Sequence, residues 1–286
     1  MSRWSSESLL IALFPARVVA VKHARGWRAR VIGRRVVETA NSPAAADHAH
    51  ESGSAARSGT TAWKTALAAL DESLTGFAEP GTRATVVVSS RFVRYTVVPW
   101  SDNVITAPEQ FEFARHCFTK LYGEMTAGWE IRISGGGFRR NALASAVDGQ
   151  MLRAIEKGLA AQGIPVTSIQ PNFMAACNRF RPQLKGYENG CIAVLEPGRV
   201  ALGIFDAAGW NTLAVRRIGT LKPEELVPLL AQELNSANPE GLPEYLFVAA
   251  AGPTTSSFFR TRTKAWMSPS QTRIPLPLPM SGRGAR

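Results

Sequence analysis

The stretch GCIAVLEPGRVALGIFDAAGWNTLAVRRIG, from Gly190 to Gly219, holds three short runs separated by two turns. Cys191–Leu195 and Val200–Phe205 are apolar, and Glu196-Pro197-Gly198-Arg199 between them is turn chemistry. Asp206-Ala207-Ala208-Gly209 is a second turn, after which Trp210–Ile218 alternates polar and apolar residues. Short runs bounded by Pro-Gly and Asp-Gly clusters, with a period of two, are the signature of β-hairpins. The stretch therefore predicts a three-stranded meander. A helix-spaced segment follows at Glu224–Leu234, with Pro228 expected to kink or delay it, and Tyr245–Ala250 reads as a strand. The order is βββαβ.

The same order precedes it. Leu9–Phe14 and Arg17–Lys22 flank Pro15-Ala16, and Trp27–Ile32 follows the turn Ala24-Arg25-Gly26. Val36–Ala40 extends the strand character. Residues 41–59 are Ala, Ser, Gly and His with almost no bulk; too little apolar area is available to offset ordering, and a flexible loop is expected. Trp63, Leu67, Leu70, Leu74 and Phe77 share a helical face that Pro80-Gly81 stops, and Ala84–Val88 is a β-branched strand. Residues 8–32 and 190–219 are thus expected to be internal repeats in separate sheets.

Between the repeats lies an insertion. Val93–Val98 is a strand, Pro108 opens a helix with Phe111, Ala114, Phe118, Leu121 and Tyr122 on one face, and Trp129–Ser134 pairs with Asn141–Val147 across Gly135-Gly136-Gly137. Strand on both sides of this triple glycine makes it a hairpin turn rather than a phosphate cradle. Asp148 caps a helix carrying Met151, Leu152, Ile155 and Leu159. Val166–Ile169 is a strand, and Asn172 opens a short helix with Phe173, Ala176 and Cys177. The expected organisation is a first lobe at 8–90, an inserted subdomain at 91–147, a second lobe at 148–256, and an irregular, proline-rich tail at 257–286.

Composition narrows the function. The chain has 286 residues, 45% of them hydrophobic, and a net charge of +11, enough for a sizeable core and for attraction to anionic partners. Its arginines are scattered rather than gathered in a polybasic arm. Aromatics interleaved with arginine on one strand, which stack nucleic-acid bases, are lacking, so no nucleic acid is expected. No apolar run approaches the ~20 residues of a membrane span, and Ser8–Phe14 is too short for a secretory leader. The three cysteines, Cys117, Cys177 and Cys191, form no CxxC and read as reduced core residues. His116 and Cys117 are helix neighbours and do not face each other. His48 and His50 lack a third ligand, so no metal is expected. The chain contains no Walker A, G-x-S-x-G, H-E-x-x-H or G-x-G-x-x-G pattern.

Three segments carry a resemblance: NALASAVD at Asn141–Asp148, VTSIQPN at Val166–Asn172, and AVLEPG at Ala193–Gly198. With the element order over residues 8–256, they resemble the actin/hexokinase superfamily. Within it they look most like pilus-assembly proteins of the PilM type and the cytoplasmic domain of GspL-type secretion proteins. The resemblance implies an α/β, actin-like (ribonuclease H-like) two-lobed fold, with duplicated βββαβ units and an inserted small subdomain. Active members of that superfamily hold ATP between the lobes, using an acid for Mg²⁺ and glycine-rich turns whose N–H groups meet the phosphates. The matching positions here are Phe14, Pro15 and Arg17 in the first turn, Glu196, Gly198 and Arg199 in the second, and Gly252 at the adenosine turn. Pro15 and Pro197 have no N–H to offer, and the first turn has neither acid nor glycine. No ATP, no metal and no catalysis are therefore expected, although Arg17 and Arg199 are suited to a phosphate or an acidic side chain. The alternative is an ATP-binding kinase or ATPase with unusual turns.

The resemblance also implies a partner: the cytoplasmic tail of an inner-membrane pilus or secretion protein, and with it the assembly ATPase. The chain would then be a cytoplasmic scaffold, peripheral to the inner membrane through that partner. The expected contact surface is the inserted subdomain, through Arg91, Arg94, Trp100, Phe138, Arg139 and Arg140. The other reading of these residues places Trp100 over a strand end in the core and the arginines on a solvated face.

Overall fold

The structure, a computed structural model, describes residues 7–24, 30–39, 55–104, 106–134, 136–184, 188–218, 232, 245–250 and 257–262. The helix expected at Glu224–Leu234, the 41–54 part of the expected loop, Trp27, Gly135, Gly252 and the tail beyond 262 lie outside them. The chain forms two compact units, Met1–Arg179 and Phe180–Arg286. It is a mixed α/β protein whose described residues form two five-stranded sheets and one three-stranded sheet.

In the first unit β1 (Glu7–Leu13), β2 (Arg17–Ala24) and β3 (Arg30–Glu38) form the antiparallel meander. Helix α1 (Ala55–Leu74) then returns the chain so that β4 (Arg83–Val88) runs parallel to β1. Strand alternation puts Leu9, Ile11, Leu13, Val18 and Ala20 on the face that meets α1, all buried with Trp63, Ala66, Leu70 and Leu74 of the helix. Phe77, just past α1, lies under the Arg35 guanidinium, which also donates to the carbonyl oxygens of Ser73 and Thr75.

Two local expectations are corrected here. The third strand runs from Arg30 to Glu38 rather than over 27–32, because the branched pairs Val31-Ile32 and Val36-Val37 favour extended backbone at both ends of a segment that pairs with β2 across one bulge at Lys22/His23. The loop expected through residue 59 already turns helical at Ala55, since adding residues to an existing 20-residue helix is far easier than nucleating one.

The insertion builds its own sheet from β5 (Val93–Val98), β6 (Trp129–Ser134) and β7 (Ala142–Asp148), in the order β5-β7-β6. Helix α2 (Ala107–Tyr122) starts with a reciprocal capping box between Thr106 and Glu109 and with Pro108 in its first turn. It is followed by a 3₁₀ segment, Gly123–Gly128. Ala114 and Phe118 of α2 are fully buried against Val98, Ile131, Ala144 and Ala146.

Helix α3 (Gly149–Ala161), capped by the Asp148 carboxylate, leads into β8 (Val166–Pro171). The sequence opens the second lobe at 148, but α3 packs on α1 and β8 pairs in parallel with β4, giving the order β3-β2-β1-β4-β8. The first unit therefore closes only after β8, and the division falls inside α4 (Asn172–Leu184).

The second unit repeats the plan. β9 (Gly190–Glu196), β10 (Arg199–Asp206) and β11 (Gly209–Arg217) form the second meander, and β12 (Tyr245–Ala250) runs parallel to β9. A further strand, β13 (Ser257–Arg262), pairs antiparallel with β12, so the expected irregular tail does not begin at 257. The order is β11-β10-β9-β12-β13. Ile192, Ala193, Val194, Ala201, Leu202, Phe247 and Val248 fill the core, and Phe180 meets Phe247 edge to face at 5.6 Å.

The two meanders match in detail as well as in order. Arg17 and Arg199 each open the middle strand, and each middle strand shifts register after its sixth residue, at Lys22/His23 and Ile204/Phe205. The fifth strands differ, β8 being parallel to its neighbour and β13 antiparallel.

Candidate functional site

The residues singled out from sequence fall into separate places. The first is the β1–β2 turn, Phe14 to Arg17. The Phe14 N–H donates to the Arg17 carbonyl at 2.9 Å, and Pro15 has no N–H. On the carbonyl side, Thr39 donates its N–H to Ala16 O and its hydroxyl to Pro15 O, both at 2.8 Å. The Phe14 ring is buried, with the Arg17 guanidinium 5.8 Å above it. The carbonyls of the turn are thus satisfied from within the chain.

The β9–β10 turn repeats this arrangement. Gly198 takes a left-handed φ of 73°, which suits glycine. Its carbonyl accepts the N–H of Ile218, just past β11, at 3.0 Å. Thr39 stands just past β3, so each meander closes its own turn with the residue that follows its third strand. The turns align as Phe14-Pro15-Ala16-Arg17 and Glu196-Pro197-Gly198-Arg199. Glu196, the one acid in either turn, is buried.

The other place is the end of the inserted sheet. Residues 136–140 form a tight tip with left-handed φ at Gly136, Gly137 and Arg139. A Cβ on Gly136 would stand 3.1 Å from the Ala142 Cβ, so the tip needs glycine there. This backbone pushes Phe138 outward, where it is 79% exposed. Trp100, beyond the end of β5, meets the Phe138 ring edge to face at 5.4 Å. Its backbone N–H donates to Asn141 Oδ1 at 3.0 Å, and its indole N–H donates to Asp102 Oδ1 at 3.2 Å. Arg139 lies 5.8 Å over the Phe138 ring. Trp100, Asp102, Gly136, Gly137 and Phe138 line an open groove of about 560 Å³ together with Val98, Phe113, Ile133 and Ala142.

Trp100 is therefore half-buried at a rim, between the two readings the sequence allows. Arg140 also lines the groove, but Arg139, Arg91 and Arg94 do not. The Arg94 guanidinium donates to the carbonyls of Arg91 and Val93 at the opposite end of β5, six extended residues or roughly 20 Å from Trp100. Phe113 was missed in the sequence. The available signal was that Phe111 and Phe113, two apart on a helix, cannot share a face.

Burial pushes the Cys117, Cys177 and Cys191 thiols up, which keeps them protonated and poor nucleophiles. Among the described residues no group of three or more His, Cys, Asp or Glu is placed to hold a metal ion, and no helix is long and apolar enough to cross a membrane.

The sequence matches no protein-family model and no curated protein. Solved structures do match. The cytoplasmic domain of EpsL, an inner membrane component of the type II secretion system of Vibrio cholerae, is 16% identical; the match covers 86% of this chain and 82% of that one, with a TM-score of 0.54. The PilM-PilN type IV pilus biogenesis complex matches at 12% identity over 88% of this chain and 82% of that one, with a TM-score of 0.55. A protein of Bacteroides thetaiotaomicron with an actin-like ATPase fold and unknown function matches at 7% identity over 82% and 80%, with a TM-score of 0.50. The chain has the actin-like ATPase fold that these structures share, and the resemblance to the PilM and GspL types holds at the level of fold.

Proposed function

We propose that this chain is a non-catalytic adaptor in a type IV pilus or type II secretion-like assembly, working on the cytoplasmic side of the inner membrane. It grips the cytoplasmic tail of an inner-membrane partner and also contacts the assembly ATPase. The observation that carries the reading is Phe138, held out at 79% exposure beside Trp100 and over a formed groove. A large aromatic left in water at a shaped, apolar site marks a binding surface, and Trp and Arg are the residue types that anchor interfaces. The fold likeness to the EpsL domain and to PilM, which is found in complex with PilN, supports the same reading. The two self-closed turns support a chain that does not use ATP.

The test is a pull-down on immobilised cytoplasmic-tail peptides of PilN-type inner-membrane proteins from the same organism. Phe138→Ser and Trp100→Ala lower capture about tenfold, the loss of one anchor worth roughly 1.4 kcal/mol. Arg94→Ala, outside the groove, leaves it unchanged. Undiminished capture by folded Phe138→Ser protein removes the groove from the reading. Mg-ATP turnover that disappears in Glu196→Ala favours the enzyme reading instead.

A further inference from the structure

In the central sheet of the first unit the face that meets α1 is buried, while the other face buries Val19 and Val21 but leaves Leu10 and Val36 exposed. On the face away from α1 the register sets Leu10 beside Val21, Ala12 beside Val19, Val19 beside Val36, and Val87 of β4 beside Ala12. Leu10 sits on the central strand of the meander and β4 pair, yet it is 37% exposed, and Val36 is 36% exposed. In the second sheet the corresponding strands β9 and β10 bury successive residues on both faces. Two aliphatic side chains left exposed around a buried pair on a sheet face suit the apolar side of a partner.

Charge indicates what covers it. Arg17 and Arg34 stand on this same face, Arg17 opposite Glu38 and Arg34 opposite Val21. Both have a buried Nε with no hydrogen-bond acceptor. Burial, and after it the Arg17 charge, lowers the pKa of Arg34. Glu38 is exposed and forms no ion pair with either among the described residues. Two guanidiniums with their Nε atoms buried, beside exposed aliphatic side chains, are placed to take carboxylates in charge-assisted hydrogen bonds. Residues 263–286 of the chain contain four cations and no Asp or Glu, so they cannot supply them; the acids outside the described residues are Asp47 and Glu51, in a stretch without aliphatic bulk, and those of 219–244, which include Glu224, Glu225 and Glu233. A second copy would set the same arginines against each other in a chain already at +11.

We propose that this sheet face docks an acidic amphipathic segment of a protein partner, its aliphatic side on Leu10 and Val36 and its carboxylates on Arg17 and Arg34. This surface is separate from the Trp100–Phe138 groove and does not depend on it.

The test titrates the full chain with three labelled helical peptides of roughly 16 residues, enough for four turns. All share one leucine and valine stripe, flanked by two Glu, two Gln or two Lys. The Glu peptide binds about tenfold tighter than the Gln peptide, the Lys peptide binds weakest, and salt narrows the gap. Arg17→Ala with Arg34→Ala abolishes the preference, while the paired lysine substitutions, which keep charge and stem, retain most of it. Leu10→Ser weakens all three peptides alike. Phe138→Ser changes none, which separates failure here from failure of the groove. Equal affinity for Glu and Gln peptides, or no binding by any, overturns the proposal. A tenfold gain on deleting residues 263–286, or in a Glu224→Gln, Glu225→Gln, Glu233→Gln protein, assigns the face to the chain's own segment and also overturns it. A sedimenting dimer lost in Leu10→Ser does so in favour of a second copy.

Discussion

Phe118 and Phe138 lie in the same small subdomain, and truncating each ring has opposite consequences. Phe118 is fully buried on α2, between Ala114, Ile131, Ala144 and Ala146, with its ring centre 6.4 Å from that of Tyr122 and 6.3 Å from that of Trp129. Phe118→Ala removes about 2–3 kcal/mol of apolar burial and leaves a ring-sized cavity, for a total of about 3–5 kcal/mol. The subdomain offers little to absorb this, since Ala114 and Phe118 are the only fully buried residues of α2. The loss is therefore of the order of the subdomain's own stability. Phe138, at 79% exposure, gives up almost no buried area, and Phe138→Ser costs less than about 0.5 kcal/mol. Amide hydrogen exchange followed by mass spectrometry separates the cases. In Phe118→Ala, peptides covering β5, β6 and β7 lose protection, while β1, β2 and β4, which have their own core, keep theirs. In Phe138→Ser, protection is unchanged throughout and only tail-peptide capture falls. If Phe118→Ala leaves β7 protection within a factor of five, or strips protection equally from β1, the subdomain is not the separable unit argued for here.

Three further outcomes follow from local geometry. Thr39→Val deletes the hydroxyl bond to Pro15 O while leaving the N–H bond to Ala16 O, and urea denaturation should register a loss of about 1 kcal/mol. Gly190→Ala sets a Cβ 2.7 Å from the Phe205 ring and 3.3 Å from Phe247, an overpacking worth about 1–3 kcal/mol in the same assay; an unchanged midpoint would mean the rings move aside freely. Cys177 and Cys191 remain protonated in the folded chain, whereas an unfolded thiol ionises above about pH 8.5. Their folded pKa is raised, so their contribution is intact below that pH and declines as pH rises beyond it. The fall in melting temperature between neutral pH and pH 10 should be smaller in a Cys177→Ala, Cys191→Ala protein than in the native one.

Both meanders could be read from the sequence because each strand carries a period of two or a β-branched run, and each turn carries Pro, Gly or Asp. That information is local. The allocation of β8 is not: Val166–Ile169 has the same buried-strand pattern whichever sheet it joins, and only its pairing with Ala84–Val88, some eighty positions earlier, decides. β13 was hidden for a different reason, since Ser257–Arg262 lies among serines, arginines and prolines that read as irregular chain. In the groove, Trp100 and Phe138 were legible once the Gly135–Gly137 hairpin set β6 against β7. Arg91 and Arg94 were grouped with them by charge alone, and charge carries no information about which end of a strand a residue occupies. Arg34 went unnoticed because what distinguishes it, a buried Nε with no acceptor, exists only in three dimensions.

The duplicated turns link the fold to the proposed role. A phosphate loop works because a strand-to-strand turn leaves several backbone N–H groups pointing outward in a fixed arc. In both units that arc begins with a proline and is tied from behind. The residue after the third strand, Thr39 in one unit and Ile218 in the other, donates to the carbonyl just before the middle strand. The same solution twice, at equivalent registers, makes each turn a clasp that locks its third strand to its first hairpin. A clasp fixes the meander without a ligand to order it, which suits a chain used as a scaffold. It also leaves the following arginine, Arg17, as the first donor-rich group beyond the turn in the first unit, with its guanidinium over Phe14 and its Nε without an acceptor. That cation stands at the margin of the sheet face on which Leu10 and Val36 are exposed. An acidic protein segment satisfies both features of that margin at once, which a free phosphate does not.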